Sequence, residues 1–115
     1  MTDGEREVPN AARKSTGICV LVPAFNEAAC VADTIRSIQS QTVVPDEIIV
    51  VDDCSSDGTG EVARACGVRV IRTPANTGSK ATALNYALQF VDADFTLAID
   101  ADTTMAPDGI EVLMK

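Results

Sequence analysis

Short apolar runs alternate with helical patterns along most of the chain. Four runs, at residues 18–22, 47–51, 68–71 and 95–99, have the length and near-continuous apolar character of strands buried on both faces. Between them, apolar residues recur every three or four positions, which predicts amphipathic helices from about 27 to 39, up to 66 and from about 80 to 91. A last helix is predicted to begin at Pro107.

This order of elements, β-α-β-α-β-α-β-α with short connections, is typical of an α/β fold with a parallel sheet and helices on both faces. Pro23 is expected to end the first strand. In the third helix, Ala81, Leu84, Leu88 and Val91 are expected to form the buried stripe. Asn85 lies beside that stripe and is predicted to be a packed amide, with no role in binding.

The sequence suggests a polar arm at the N-terminus, followed by one domain. Residues 1–17 are polar and of mixed charge, without the apolar stretch of a signal peptide. They are therefore predicted to be a flexible arm, with the domain at 18–115. No later stretch approaches the ~18 apolar residues of a membrane span, so we expect a cytoplasmic location.

Composition excludes several classes of function. The net charge is −8 and the chain has only 9 Lys and Arg residues, scattered along its length, so nucleic acid is an unsuitable partner. The chain contains no histidine, which removes Ser-His-Asp and Cys-His chemistry within it. Its 4 cysteines have no zinc-like spacing and are expected to be free thiols.

Polar residues follow every predicted strand. Because ligands bind outside the carboxyl ends of parallel strands, these residues are expected to meet at one rim. They are Pro23-Ala24-Phe25-Asn26-Glu27, Asp52-Asp53, Asn76-Thr77-Gly78-Ser79-Lys80 and Asp100-Ala101-Asp102. Carboxylates crowded at a rim repel one another unless a cation or hydrogen-bond donors relieve them. The rim is therefore the candidate site.

Individual signals at this rim are ambiguous. Asp100 and Asp102 form a D-x-D triplet whose oxygens suit a divalent ion that could also carry a diphosphate, but such pairs also cap turns. Asp52-Asp53 could likewise be a polar turn. Lys80 begins a helix, where a cation gains nothing from the helix dipole, so it is either a surface lysine or the partner of an anion.

Four motifs together are more specific than any one residue. VPAFNE, VVDDCSSDGT, NTGSKATALN and AIDADTTMAPD, in this order and spacing, resemble the family 2 glycosyltransferases of GT-A fold over residues 18–115. The third and fourth motifs are most similar to those of processive polysaccharide synthases. The resemblance implies the nucleotide-binding half of a Rossmann-like GT-A domain, with a mostly parallel sheet of about four strands.

The resemblance also implies site residues. Pro23, Ala24 and Phe25 would line a nucleoside pocket, and Glu27 would reach the ribose. One aspartate of Asp52-Asp53, with Asp53 preferred, would hydrogen-bond the uracil edge of a UDP-sugar.

The diphosphate end is implied in the same way. Lys80 would contact the diphosphate, and Asp100 would contact the sugar or nucleotide. Asp102, with help from Asp100, would ligate Mg²⁺ or Mn²⁺. The expected function is inverting transfer of a sugar from a UDP-sugar to a polysaccharide or lipid-linked acceptor.

The resemblance covers only part of the family pattern. The general base belongs to a later acidic motif, expected beyond Lys115, and the Gln-x-x-Arg-Trp segment of processive members does not occur in this sequence. The chain alone is therefore expected to be inactive, with no catalytic base of its own. Membrane contact is expected only through segments outside it, and self-association through an uncovered sheet edge.

Two other classes share some of these motifs. A response-regulator receiver domain, phosphorylated at Asp100, would explain Asp52-Asp53 and the run after Met105, but a full βα unit precedes its acidic pair here. A haloacid-dehalogenase-type phosphatase has a D-x-D-x-T motif, which fits residues 100–104. In that class, however, the motif follows the first strand of the domain.

Overall fold

The computed structural model of the chain describes residues 16–114. Four strands form one parallel sheet in the order β3-β2-β1-β4. The elements are β1 (Ile18–Ala24), α1 (Val31–Gln39), β2 (Glu47–Asp52), α2 (Thr59–Ala65), β3 (Arg69–Arg72), α3 (Lys80–Leu88), β4 (Phe95–Ala98) and α4 (Gly109–Leu113). The predicted α/β fold is confirmed. The predicted arm lies outside the described residues, except for Thr16 and Gly17.

Helices cover both faces of the sheet, as the sequence predicted. Alternate residues of β1 point to opposite faces: Val20 and Val22 pack with residues of α1, α2 and α4, whereas Cys19 and Leu21 pack with α3. Every residue of β1 is buried. The central strand therefore forms the core on both sides.

Complete burial does not extend to the edge strands. Arg69 and Arg72 of β3 are exposed, and Phe95 of β4 is 52% exposed. The prediction that all four strands are fully buried is wrong for β3 and β4, because each has a strand neighbour on one side only.

The buried stripe of α3 also differs from the prediction. Ala83 and Ala87 face the sheet, whereas Ala81 and Leu88 are exposed. Asn85 is exposed too, so it is not a packed amide. Leu84 and Val91 of the predicted stripe are partly buried against the same cluster. The fully buried positions are instead the small residues Ala83 and Ala87, which pack against β1 and β2.

Two element boundaries near the rim differ from those predicted. β1 continues through Pro23 to Ala24, because Pro23 and Ala24 still lie in register with Val51 and Asp52 of β2. α1 begins at Val31 instead of about residue 27; the four residues before it form a turn. The longer strand and shorter helix leave residues 25–30 as a loop above the sheet.

The opposite end of the sheet is fastened by Asp46. Its carboxylate accepts hydrogen bonds from the amides of Thr16 and Gly17, both at 2.9 Å. The Gly17 carbonyl then accepts a hydrogen bond from the Phe95 amide at 2.9 Å. Between residues 16 and 114, no helix has the length and apolar character needed to cross a bilayer.

We predict that Gly60→Ala destabilises the fold. A β-carbon at Gly60 would lie 2.8 Å from Asp52 Oδ2, which is buried and held by Arg72. The overpacking should lower the free energy of unfolding by about 1–3 kcal/mol in a urea titration.

Gly109→Ala is the matched control. Its new β-carbon would also come within 2.8 Å of an atom, but that atom is the flexible end of Met105. The control should cost less, since the end of Met105 can move whereas Asp52 is held by Arg72; the gain in helix propensity applies to both positions. Equal losses in both variants would contradict the rigid contact at Asp52.

Candidate functional site

A cleft of about 510 Å³ lies at the carboxyl ends of β1 and β2, beside the start of α3. Its walls come from three segments: the end of β1 with the loop after it, the residue after β2, and the β3–α3 loop with the first turns of α3. The lining residues are Pro23, Ala24, Phe25, Glu27, Asp53, Asn76, Gly78, Ser79, Lys80 and Ala83. This is the rim that the sequence indicated.

Six of the predicted site residues meet in this cleft: Pro23, Ala24, Phe25, Glu27, Asp53 and Lys80. Asp52, Asp100 and Asp102 are not among its lining residues. Asp100 is nevertheless connected to the cleft, because it forms an ion pair with the lining residue Lys80.

Asp53 is held by several donors from the β3–α3 segment. Its Oδ1 accepts hydrogen bonds from the Thr73 hydroxyl at 2.8 Å and the Thr77 amide at 2.9 Å. Its Oδ2 accepts one from the Thr77 hydroxyl at 2.9 Å. The Asn76 side chain donates to the Asp53 carbonyl at 2.9 Å. Only 6% of Asp53 is exposed, and these hydrogen bonds fix its position.

These donors keep Asp53 ionised. Burial on its own would raise the pKa of the carboxyl, but the hydrogen bonds from Thr77 and Thr73, with a contribution from the Gly78 amide, outweigh it and lower the pKa below its ordinary value. Asp53 also lines the cleft, so this ionised carboxylate is an acceptor for a ligand that brings an N–H or O–H donor.

Asp52 has a different environment. It is 2% exposed, and its Oδ2 forms an ion pair with Arg72 Nη1 at 3.0 Å. Its Oδ1 accepts a hydrogen bond from the Ser55 amide at 2.9 Å. Arg72 also donates to the Ser55 carbonyl at 3.2 Å. The resemblance allowed either aspartate as the ligand and preferred Asp53, and the structure places only Asp53 in the cleft.

The loop after β1 is fastened to the loop after β2. The Asn26 amide donates to the Ser55 hydroxyl at 2.9 Å, and the Asn26 side chain accepts from the Ser56 amide at 2.9 Å. Asn26 has a φ of 54°, a left-handed conformation that asparagine tolerates better than most residues. These bonds hold Phe25, which is 50% exposed, at the cleft.

Glu27 is placed by the same pair of loops. Its amide donates to the Thr59 hydroxyl at 3.0 Å, and Thr59 in turn donates to Asp57. The Ala28 amide donates to the other Asp57 oxygen at 3.1 Å. The Thr59 hydroxyl, together with the Ala28 and Thr59 amides, lowers the pKa of Asp57. Hydrogen bonds with the SSDGT segment therefore fix the backbone at the end of the VPAFNE segment.

Lys80 and Asp100 form an ion pair at the start of α3. Lys80 Nζ lies 3.2 Å from Asp100 Oδ2, and both side chains are more than half exposed. Ser79 caps the helix by accepting a hydrogen bond from the Thr82 amide at 3.1 Å. The cation at the cleft therefore has an internal anionic partner from the segment that follows β4.

The D-x-D segment lies in a turn after β4. The buried Ala101 carbonyl accepts a hydrogen bond from Thr34 of α1 at 2.6 Å, and the Thr103 amide bonds back to the Asp100 carbonyl at 3.1 Å. Asp100 and Asp102 are both exposed. Within residues 16–114, no three Cys, Asp or Glu side chains are grouped closely enough to hold a metal unaided.

Four lining residues were not among the predicted ligands: Asn76, Gly78, Ser79 and Ala83. The sequence signal for the first three is the turn chemistry of Asn-Thr-Gly-Ser between a strand and a helix. Gly78 has a φ of 81°, which explains the glycine in this turn. Ala83 was not part of the stripe predicted for α3 and carried no signal of its own in the sequence.

The family model for glycosyl transferase family 2 matches residues 19–115. The chain belongs to this family. The expected resemblance is thereby confirmed, and the cleft at the strand ends is a feature of a family 2 glycosyltransferase domain.

Two curated relatives are polysaccharide synthases by name. Poly-β-1,6-N-acetyl-D-glucosamine synthase of Staphylococcus epidermidis is 32% identical over 97 residues, 81% of this chain and 23% of the relative. Hyaluronan synthase of Streptococcus pyogenes is 33% identical over 109 residues, 85% of this chain and 26% of the relative. The chain thus spans about a quarter of the length of these relatives.

Solved structures share the fold. S. aureus TarS in complex with UDP superimposes with a TM-score of 0.76 at 25% identity, covering 84% of this chain and 30% of TarS. Glucosyl-3-phosphoglycerate synthase of Mycobacterium tuberculosis, solved with Mn²⁺, UDP and glucosyl-3-phosphoglycerate, gives 0.68 at 33% identity, covering 78% and 35%. The Rossmann-like GT-A architecture expected from the sequence is confirmed.

The family match and the sheet order argue against the two rival classes. A receiver-type site needs its acidic pair beside the phosphorylated aspartate. Here β1 separates β2, which ends at Asp52, from β4, which precedes Asp100. The D-x-D also follows the fourth strand in chain order, not the first as in the phosphatase class.

Proposed function

We propose that the chain is the donor-binding part of a glycosyltransferase and holds a UDP-sugar in the cleft between β1, β2 and α3. The observation that carries the proposal is Asp53: a buried, ionised carboxylate that lines a cleft of about 510 Å³. The UDP complexes of two similar structures support the same ligand class.

Asp53 suits the uracil edge. Uracil has an N–H at position 3 that can donate a hydrogen bond to an ionised carboxylate, whereas cytosine has a lone pair at that position. A charge-assisted hydrogen bond in a buried site is strong and leaves an unpaired acceptor when the wrong base enters. Phe25 adds a half-exposed ring to the same cleft, and Glu27, which also lines it, is the residue that we assign to a ribose hydroxyl.

The phosphate end combines Lys80 with the D-x-D aspartates. Lys80 lines the cleft and provides a cation for a diphosphate. The donor set of Asp100 and Asp102 fits Mg²⁺ or Mn²⁺, because both are exposed carboxylates and these ions are often bound by one or two carboxylates plus phosphate oxygens. The Mn²⁺ in the mycobacterial neighbour supports this assignment.

In this proposal, a bound divalent ion supplies charge neutralisation at the diphosphate. The chain's own residues do the remaining work on the donor. Asp53 and Phe25 orient the nucleoside, and Lys80 exchanges Asp100 for phosphate oxygens. The names of the polysaccharide synthases support a polysaccharide acceptor, with a lipid-linked acceptor as the second candidate, and both belong to the activity of the whole protein.

Calorimetric titration with nucleotides tests this function directly. UDP should bind, CDP should bind at least about tenfold more weakly, and Mn²⁺ should strengthen UDP binding. Equal affinities for UDP and CDP would contradict the role of Asp53. Beryllofluoride with Mg²⁺ provides the check on the receiver alternative and should show no binding.

We predict that Asp100→Asn changes UDP affinity in opposite directions with and without metal. In excess chelator, the variant should bind UDP about threefold to tenfold more tightly, because Lys80 loses its 3.2 Å partner and a negative charge leaves the phosphate end. With Mn²⁺, the same variant should bind UDP more weakly than the wild type, since a metal ligand is gone.

Asp108→Asn is the control for the charge change. Asp108 is exposed at the start of α4, makes no side-chain capping bond and is not part of the cleft. It should leave both affinities unchanged. An Asp100→Asn variant that weakens UDP binding in chelator would show that the ion pair with Lys80 does not compete with the diphosphate.

A further inference from the structure

Thr77 contacts both carboxylate oxygens of Asp53. Its amide donates to Oδ1 and its hydroxyl to Oδ2, each at 2.9 Å. Two donors from one residue fix a carboxylate in the plane of those two bonds, whereas a single donor would let it rotate. Thr73 donates to Oδ1 alone, at 2.8 Å.

Thr77 also connects Asp53 to the beginning of α3. Its hydroxyl oxygen lies 3.0 Å from the Ser79 carbonyl and 3.4 Å from the Ser79 amide. Ser79 is the N-cap of α3, and Lys80 is the first residue of that helix. Thr77 therefore lies between the carboxylate proposed for the base and the cation proposed for the phosphates.

We propose that Thr77 is a positioning residue for nucleobase recognition: it holds the Asp53 carboxylate in the orientation that it has at the cleft. This inference rests on the proposed function, because it assigns to Asp53 the N–H of a uracil. Thr77 itself is not a lining residue of the cleft, so it acts through Asp53.

The charge state of Asp53 provides a readout of this role. Burial raises the pKa of Asp53, and the Thr77 amide and hydroxyl are among the bonds that lower it. Loss of the hydroxyl should therefore raise the pKa. The other charged groups near the cleft are Glu27, Lys80 with its partner Asp100, and the chain neighbour Asp52, which is paired with Arg72.

The experiment compares Thr77→Val and Thr77→Ser with the wild-type chain. UDP affinity is measured by calorimetry from neutral to acidic pH, and the Asp53 carboxyl is followed by NMR in the chain without nucleotide. Thr77→Val, which keeps the shape but removes the hydroxyl, should bind UDP about tenfold more weakly, and its acid loss of affinity should occur at higher pH. Thr77→Ser should restore both properties.

Thr42→Val is the matched control. The Thr42 hydroxyl donates to the Glu111 carboxylate at 2.7 Å, outside the cleft, so the same substitution there should alter neither UDP affinity nor its pH profile. An unchanged Asp53 pKa in Thr77→Val overturns the role of Thr77 whether or not UDP binds. Failure of the wild-type chain to bind UDP, with the pKa shifted as expected, overturns the proposed function and with it base recognition.

Discussion

Asp53→Asn should weaken UDP binding by about 10- to 100-fold and remove the preference for UDP over CDP. A hydrogen bond to a charged group contributes about 1.5–3 kcal/mol, and the amide that replaces the carboxylate must also present an NH₂ group to the donors of Thr73 and Thr77. Parallel titrations with UDP and CDP measure both effects. A variant that still distinguishes the two nucleotides would place base recognition elsewhere.

Asp46→Asn is the control for this substitution. Asp46 also accepts hydrogen bonds from two backbone amides, but it lies at the opposite end of β2. Its replacement can lower stability, yet UDP affinity measured on the folded fraction should stay at the wild-type value. The comparison separates loss of a structural carboxylate from loss of a ligand.

Asp53→Asn should also change the dependence of stability on pH. The folded-state pKa of Asp53 lies below its ordinary value of 3.8, so its contribution to stability is complete above that pH and is lost as the pH falls through the folded pKa. The wild type should therefore lose more stability than the variant on acidification below about 3.8. Urea titrations at a series of pH values measure the difference.

Asp102→Ala should remove most of the effect of Mn²⁺ on UDP binding. Asp102 is an exposed carboxylate after β4 and is proposed as a direct ligand of the ion, so its loss should lower metal affinity by at least about 10- to 100-fold. UDP affinity in chelator should stay near the wild-type value, because Asp102 does not line the cleft.

Titration of Mn²⁺ into the chain with UDP present measures this effect without any turnover. Asp108→Ala removes an equally exposed aspartate and should leave the Mn²⁺ effect intact. If Asp102→Ala and Asp108→Ala behave alike, the D-x-D segment is a turn after β4 and the ion lies elsewhere.

The pattern of apolar runs was sufficient to predict the sheet and the rim. Parallel strands bring the segments that follow them to one edge, so Phe25, Asp53 and Lys80 could be placed together without coordinates. The order of the strands, however, depends on which apolar faces pack best. Consequently the exposure of β3 and β4 could not be predicted from their own sequences.

The choice of Asp53 over Asp52 came from the family resemblance, and the structure agrees with it, because only Asp53 lines the cleft. The residue types alone did not decide it, because the environment of Asp52 depends on Arg72, which is 20 residues later. Nor did the sequence decide which face of α3 is buried and whether Asn85 is exposed. Larger apolar residues were available on this helix, but Ala83 and Ala87 are the ones that face the sheet.

The position of β1 in the sheet has a consequence for how the chain folds. β1 is the first strand of the described residues, yet one of its two neighbours is β4, where Ile18 pairs with Phe95. During synthesis, its apolar side chains remain without that neighbour until residue 98 has left the ribosome. Pairings so distant in sequence slow folding, because a long loop must close before they form. Substitutions that add charge to β1 should therefore alter aggregation of the nascent chain more than equivalent changes in β4.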